Sequence, residues 1–125
     1  MSKSIDLHGS WKSFPQYGSF AQMKVTEIEV HEFQVDYIDL VRDVVTHYNG
    51  NAKRVIYVAR TDSGLEGLGE GHGREAEEVL DRYVGSNPFD WIGDDTSLAL
   101  GTAMYDLMGK AAGVPCYKLF GQKYR

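Results

Sequence analysis

The sequence predicts an α+β domain in which a three-stranded antiparallel β-meander is followed by a helical bundle. Short runs rich in β-branched and aromatic residues occupy the first half of the chain. Apolar residues recur at helical spacing in the second half. The length of 125 residues fits one domain with a modest core. These observations together favour a small α+β domain.

The predicted sheet comes first in the chain. In the first strand the alternation of apolar residues slips between Val30 and Phe33, which indicates a β-bulge. The connection at residues 36–52 carries apolar residues at helical spacing, which indicates a short helix. Gly64 supplies the positive φ of a tight turn between the second and third strands. The predicted strands share a high content of Val, Ile and aromatic residues: 24–35, 53–61 and 65–70.

Two helices are predicted after the meander. In the first helix, Glu75 and the glutamates that follow lie in the opening turns, where the helix dipole favours acidic side chains, and Gly85 ends it. Either Asp94 or Asp95 is the predicted N-cap of the second helix, which is apolar around more than half of its circumference and therefore central. Gly113 is the predicted stop. The two helices are expected at residues 74–84 and from about 94 to 112.

Composition excludes several classes of function. The formal net charge of −5 argues against nucleic acid as a partner, since phosphate binding needs a basic surface. No apolar run is as long as a membrane span. Residues 1–22 lack the continuous apolar stretch of a signal peptide, and we expect them to be an extended or disordered extension. One cysteine, Cys116, cannot form an internal disulfide, and this favours the cytoplasm.

Alternating glycines precede the first predicted helix. Their spacing fails the G-x-G-x-x-G pattern, because His72 and Arg74 stand where a later glycine would be needed. Glutamates in the following helix would also repel a phosphate. Close packing of backbones and a loop explain these glycines better than a nucleotide site does. The glycines of this run are Gly67, Gly69, Gly71 and Gly73.

Other candidate sites have simple structural explanations. Glu70 and His72 could offer two metal ligands, but the spacing of a known zinc or metalloprotease motif is missing. Cys116 has no histidine near it in sequence and is expected to be a small buried apolar residue. Asp106 and Lys110 form an i, i+4 pair of opposite charge, and we expect a salt bridge that also anchors packing.

Three segments carry a resemblance to a known family. Residues 61–70 (TDSGLEGLGE) are similar to a T-D-x-G-x-x-G-x-G-E run, residues 103–110 (AMYDLMGK) to an A-x-W-D-x-x-G-K helix, and residues 113–121 (GVPCYKLFG) to a G-x-P-x-x-x-L-x-G exit. In this order and spacing, residues 24–125 resemble the N-terminal capping domain of the enolase superfamily, in its mandelate racemase/muconate lactonizing enzyme branch. Two positions where that family commonly has Trp carry other apolar residues: Leu68 and Tyr105.

The resemblance implies a capping domain at residues 23–125 that lacks its catalytic (β/α) barrel. In the family, Mg²⁺ and the catalytic bases belong to the barrel, so we expect no catalytic residue, no metal ligand and no cofactor within this chain. The loops at 36–52 and 70–74 would close the barrel mouth over a carboxylate substrate of a dehydratase, racemase or cycloisomerase. The side chains expected to face that substrate, with plain solvation as the alternative for each, are Tyr37, His47, Tyr48 and His72.

Two other functions stay open at this point. A lone capping domain would expose the apolar surface meant for the missing barrel domain, so a non-catalytic binding module or a homo-oligomer is the second hypothesis. A small autonomous metal enzyme is the third, and the scattered histidines argue against it.

Overall fold

The computed structural model describes residue 20 and residues 22–39, 41–42, 44 and 53–122. It confirms the predicted α+β class, a three-stranded antiparallel meander followed by helices. No helix within the described ranges is long and apolar enough to cross a membrane. The elements in chain order are β1 (Val25–Gln34), β2 (Lys53–Thr61), β3 (Glu66–Gly71), α1 (Glu77–Tyr83), a first 3₁₀ helix (Pro88–Trp91), α2 (Leu98–Ala112) and a second 3₁₀ helix (Cys116–Phe120).

The sheet has β2 in its centre, antiparallel to both neighbours. Its bulge lies between Val25 and Glu27, and from Glu27 to Gln34 the two strands pair in step. The prediction of a bulge between Val30 and Phe33 is therefore wrong. The alternation slips there because Phe33 lies on the outer face of the sheet and is 44% exposed, while Val30 packs against the core.

Helix α2 packs directly on the inner face of β3, and this contact explains the first two of the alternating glycines, Gly67 and Gly69. A Cβ added at Gly67 would collide with the carbonyl oxygen of Ala103, and one added at Gly69 would collide with that of Ala99. Ala99 and Ala103 are themselves buried. Small residues on both elements therefore let the two backbones approach closely, as predicted.

The free edge of β3 is covered by two side chains of α2. The Leu68 N–H donates to Asp106 Oδ2 at 2.9 Å, and Lys110 Nζ donates to the Glu66 carbonyl oxygen at 2.6 Å. Lys110 also pairs with Asp106 Oδ2 at 2.6 Å. The predicted salt bridge is confirmed, and it satisfies strand groups that would otherwise form an open edge.

The first helix begins later than the sequence predicts. Its N-cap is Ala76, so Glu75 lies outside it. The N–H of Glu75 donates to the Tyr57 hydroxyl at 2.7 Å, and its carboxylate accepts the Ser97 hydroxyl at 2.6 Å. These two bonds hold the segment before α1 in an extended conformation. Gly85 follows the helix with φ 82°, the left-handed conformation expected of a helix stop.

The second helix is capped by Ser97, and the prediction of Asp94 or Asp95 as N-cap is wrong. The Ser97 hydroxyl accepts the Leu100 N–H at 3.1 Å. Asp94 is engaged elsewhere, because its Oδ2 accepts a hydrogen bond from the hydroxyl of Tyr83 in α1 at 2.6 Å. The left-handed Gly113, with φ 65°, ends the helix as predicted. Helix α2 contributes half of the residues of the buried core, which confirms its central position.

Candidate functional site

One end of the sheet brings together the two loops singled out by the sequence. In the antiparallel register Gln34 pairs with Lys53, and Val55 pairs with Gly71. The end of β1, the start of β2 and the end of β3 therefore lie side by side. The connection after β1 and the loop that contains His72 both leave the sheet from this end.

Arg54 is the centre of a side-chain cluster at this end of the sheet. Its Nε lies 3.1 Å from Oε1 of Glu70. Its Nη1 lies 3.2 Å from Nδ1 of His72, and its Nη2 donates to the Tyr37 hydroxyl oxygen at 3.4 Å. We refer to Tyr37, Arg54, Glu70 and His72 as the Arg54 cluster. The partly buried guanidinium thus connects both loops through one rigid donor group.

The chemistry of arginine fixes the state of its neighbours. A guanidinium has donors only, so Nδ1 of His72 must accept and carries no proton in this arrangement. The ring proton of the neutral imidazole then lies on Nε2. Tyr37 likewise accepts with its oxygen and keeps its own proton for another acceptor. The cluster therefore offers hydrogen-bond donors to a ligand.

Two open clefts flank His72. One has a volume of about 340 Å³ and is bordered on its far side by Ala99 and the 87% exposed Leu98 of α2. The other has a volume of about 250 Å³, and Phe33 forms part of its apolar wall. Its charged lining comes from the strands and the following loop: Glu32, Lys53, Arg54 and Arg74. Arg54 is paired with Glu70, and Arg74 is paired with Glu32 and Glu77, so two of the three cationic side chains are already engaged in ion pairs.

The loop behind His72 is held by a buried tyrosine. Tyr57 is 0% exposed, its hydroxyl donates to the Gly73 carbonyl oxygen at 3.0 Å, and it accepts the Glu75 N–H at 2.7 Å. Burial raises the pKa of Tyr57 above its usual value, so the phenol stays a donor. Loop residues on both sides of Arg74 are thereby fixed to the core, while the His72 side chain remains exposed.

The structure brings together two of the four residues selected from the sequence. Tyr37 and His72 meet at Arg54, whereas His47 and Tyr48 lie outside the described residues. Sequence reasoning missed Arg54. The available signal was topological, because a meander places the start of its second strand between the two loops that leave its first and third strands.

Other candidates contribute no site within the described part of the chain. Cys116 is partly buried rather than fully buried, which corrects the prediction, because it lies in the short 3₁₀ helix at the surface. Helix α2 occupies the space next to Gly67 and Gly69, so these two glycines leave no cradle for a phosphate. The described residues contain no group of three or more His, Cys, Asp or Glu side chains placed to hold a metal ion.

Comparison with solved structures identifies enzymes of similar fold. An isomerase from Streptomyces coelicolor A3(2) matches with a TM-score of 0.61 and 24% identity, over 82% of this chain and 32% of that one. A mandelate racemase/muconate lactonizing enzyme from Roseovarius nubinhibens ISM matches with a TM-score of 0.57 and 21% identity, over 82% of this chain and 35% of that one. An enolase from Pseudomonas fluorescens Pf0-1 was solved with bound magnesium, potassium and tartrate. It matches with a TM-score of 0.58 and 18% identity, over 83% of this chain and 33% of that one.

The comparisons agree with the family resemblance at the level of the fold. The chain spans about a third of the length of each of these solved structures. No family model matches the chain, and no curated protein matches it. The fold is therefore one that occurs as part of larger isomerases and racemases.

Proposed function

We propose that residues 23–125 are the capping domain of a magnesium-dependent enolase-superfamily enzyme, in the mandelate racemase/muconate lactonizing enzyme branch. The observation that carries the proposal is the fold likeness to part of such enzymes, each of which is about three times as long as the matched segment. The segments at 61–70, 103–110 and 113–121 support it, because they resemble that branch in order and spacing.

The reaction itself is assigned to a barrel domain beyond the described residues. We infer a dehydratase, racemase or cycloisomerase that removes a proton next to a carboxylate. A neighbour of similar fold was solved with magnesium, but the described residues offer no set of ligands for that ion. The described residues therefore do not fit a magnesium ion. We assign the chain a role in binding and in excluding water.

The Arg54 cluster is the part of the chain that we assign to substrate recognition. With Nδ1 engaged by Arg54, His72 presents its Nε2 proton, and Tyr37 presents its hydroxyl proton. Two such donors suit the hydroxyl or carboxylate oxygens of a sugar acid. These groups would discriminate between substrates that differ at the end distant from the reacting carbon.

The test uses the complete protein that is encoded by the reading frame containing this chain. We expect a downstream segment with spaced Asp and Glu residues and a Lys-x-Lys-type run. The complete protein is incubated in D₂O with a panel of sugar acids and Mg²⁺, and deuterium uptake next to the carboxylate is followed by NMR. Purified residues 1–125 are the matched control.

Two results decide the proposal. We expect Mg²⁺-dependent exchange by the complete protein and none by the control chain. A complete protein without a barrel segment, or exchange catalysed equally well by residues 1–125 alone, would contradict the assignment.

A further inference from the structure

Within the part of the chain that the structure describes, β1 is an edge strand whose outer side pairs with no other strand. Within the described ranges, the only residue of β1 whose backbone bonds to a segment other than β2 is Val25, which pairs with Gly85 and Ser86 at 2.7 and 2.9 Å. Beyond it, residues 31–34 are exposed. An open strand edge of this length is a template for pairing with another chain.

The direction of the free groups follows from the opposite edge of the sheet. The Leu68 N–H bonds to Asp106 and not to β2, so Leu68 and its partner Val58 form a pair without mutual hydrogen bonds. Val58 therefore turns its backbone groups toward Glu29 of β1. Because these directions alternate along a strand, the residues of β1 whose N–H and C=O groups point outward are Ile28, Val30 and Glu32.

We propose that β1 pairs with β1 of a second copy of this chain, antiparallel, about a two-fold axis at Val30. The two sheets would form one continuous six-stranded sheet. In this register Val30 exchanges both of its hydrogen bonds with Val30 of the second copy, and Ile28 exchanges both with Glu32. A closed two-fold contact satisfies both edges at once and leaves none for further growth.

Charge selects this register from its neighbours. With the axis at Val30, Glu29 lies opposite His31 of the second copy, and the pair occurs twice. An axis at Glu29 would place two glutamates opposite each other, and like charges in such a pair are destabilising. An axis at His31 would place two histidines opposite each other, so neither would face a glutamate of the second copy. The two side chains already interact within one chain, where His31 Nε2 lies 3.3 Å from Glu29 Oε2.

Sedimentation velocity over a range of concentrations tests the pairing. The wild-type chain should show a monomer–dimer equilibrium. Glu32→Pro removes an outward N–H that the monomer does not use, and should weaken dimerisation by about tenfold or more, since two hydrogen bonds are lost. Glu32→Ala is the matched control, because it loses the same carboxylate and its ion pair with Arg74 but keeps the N–H. This control should dimerise like the wild type.

A second pair of variants keeps the test valid if the proline disturbs folding. His31→Glu should weaken the dimer by about tenfold, because each introduced glutamate lies opposite Glu29 of the other copy. The neutral variant His31→Gln should weaken the dimer less. A wild-type chain that stays monomeric would overturn the proposal, as would a dimer that responds equally to Glu32→Pro and Glu32→Ala. Amide exchange provides a further check: protection of Val30 at concentrations where only monomer is present would mean that the chain's own residues cover the edge, which also overturns it.

Discussion

Arg54 places Nη1 3.2 Å from Nδ1 of His72, although the two residues are 18 positions apart in the chain. The contact ties the loop after β3 to the start of the central strand. It also leaves the Nε2 proton of His72 available to a ligand, because an arginine cannot accept a hydrogen bond. The proposed recognition role of the loop depends on this orientation of the ring.

The tautomer of His72 is the first prediction. Long-range proton–nitrogen NMR spectra of the neutral imidazole should show the proton of His72 on Nε2. Replacement of Arg54 by Leu removes the donor and should yield a mixture of both tautomers. His31 is the internal control, and its signals should not change in that variant. A proton on Nδ1 of His72 in the wild type would contradict the geometry.

The buried hydroxyl of Tyr57 is predicted to stabilise both the core and the loop. Tyr57→Phe leaves the Gly73 carbonyl and the Glu75 N–H without their buried partner, which should cost about 1–3 kcal/mol of the free energy of unfolding. Urea denaturation measures this loss. Amide exchange at Glu75 should also accelerate in the variant. An unchanged unfolding midpoint together with unchanged exchange would show that the hydroxyl contributes nothing.

The contact between β3 and α2 is predicted to tolerate no added side chain. Gly69→Ala would drive a methyl group into the Ala99 carbonyl oxygen, with the carbonyl carbon 2.9 Å away, and overpacking of this kind costs about 1–3 kcal/mol or more. Gly73→Ala is the control, because nothing lies within 4 Å of its added methyl. Thermal denaturation should separate the two variants clearly. Equal melting temperatures would mean that α2 does not pack against Gly69 as described.

Acid sensitivity is predicted at Asp94. Burial acts to raise the pKa of Asp94, but the hydrogen bonds donated by Tyr83 and Thr96 outweigh it and hold the pKa below the ordinary value of 3.8. A lowered carboxyl pKa contributes stability above the ordinary value, and this contribution is lost as the pH falls through the folded-state pKa. The melting temperature of Asp94→Asn should therefore fall less between about pH 5 and pH 3 than that of the wild type. Parallel pH profiles would contradict the assignment.

Local chemistry made most of the fold predictable. Gly64, Gly85 and Gly113 adopt the left-handed conformation that only glycine enters without strain, and each ends an element where the sequence predicts it. The starts of helices were less predictable. Ser97, rather than Asp94, became the cap of α2, because Tyr83 binds Asp94. That competition depends on tertiary contacts, which no local pattern contains.

The candidate site was predictable only in part. Tyr37 and His72 could be chosen because they lie in the two loops that the resemblance implicates. Arg54 could not be chosen from a pattern, since an arginine near the start of a strand is ordinary. Its role depends on the register that places Glu70 and His72 within reach of one guanidinium. His47 and Tyr48 remain sequence predictions.

The most direct test of the capping role is substrate discrimination by the complete enzyme. Two carboxylate substrates that differ only at the end distant from the reacting carbon are compared by kcat/KM in the wild type, in His72→Ala and in the control His31→Ala. We predict that His72→Ala changes the ratio of the two kcat/KM values by about tenfold or more, while His31→Ala leaves it unchanged. A ratio that neither substitution alters would contradict the account.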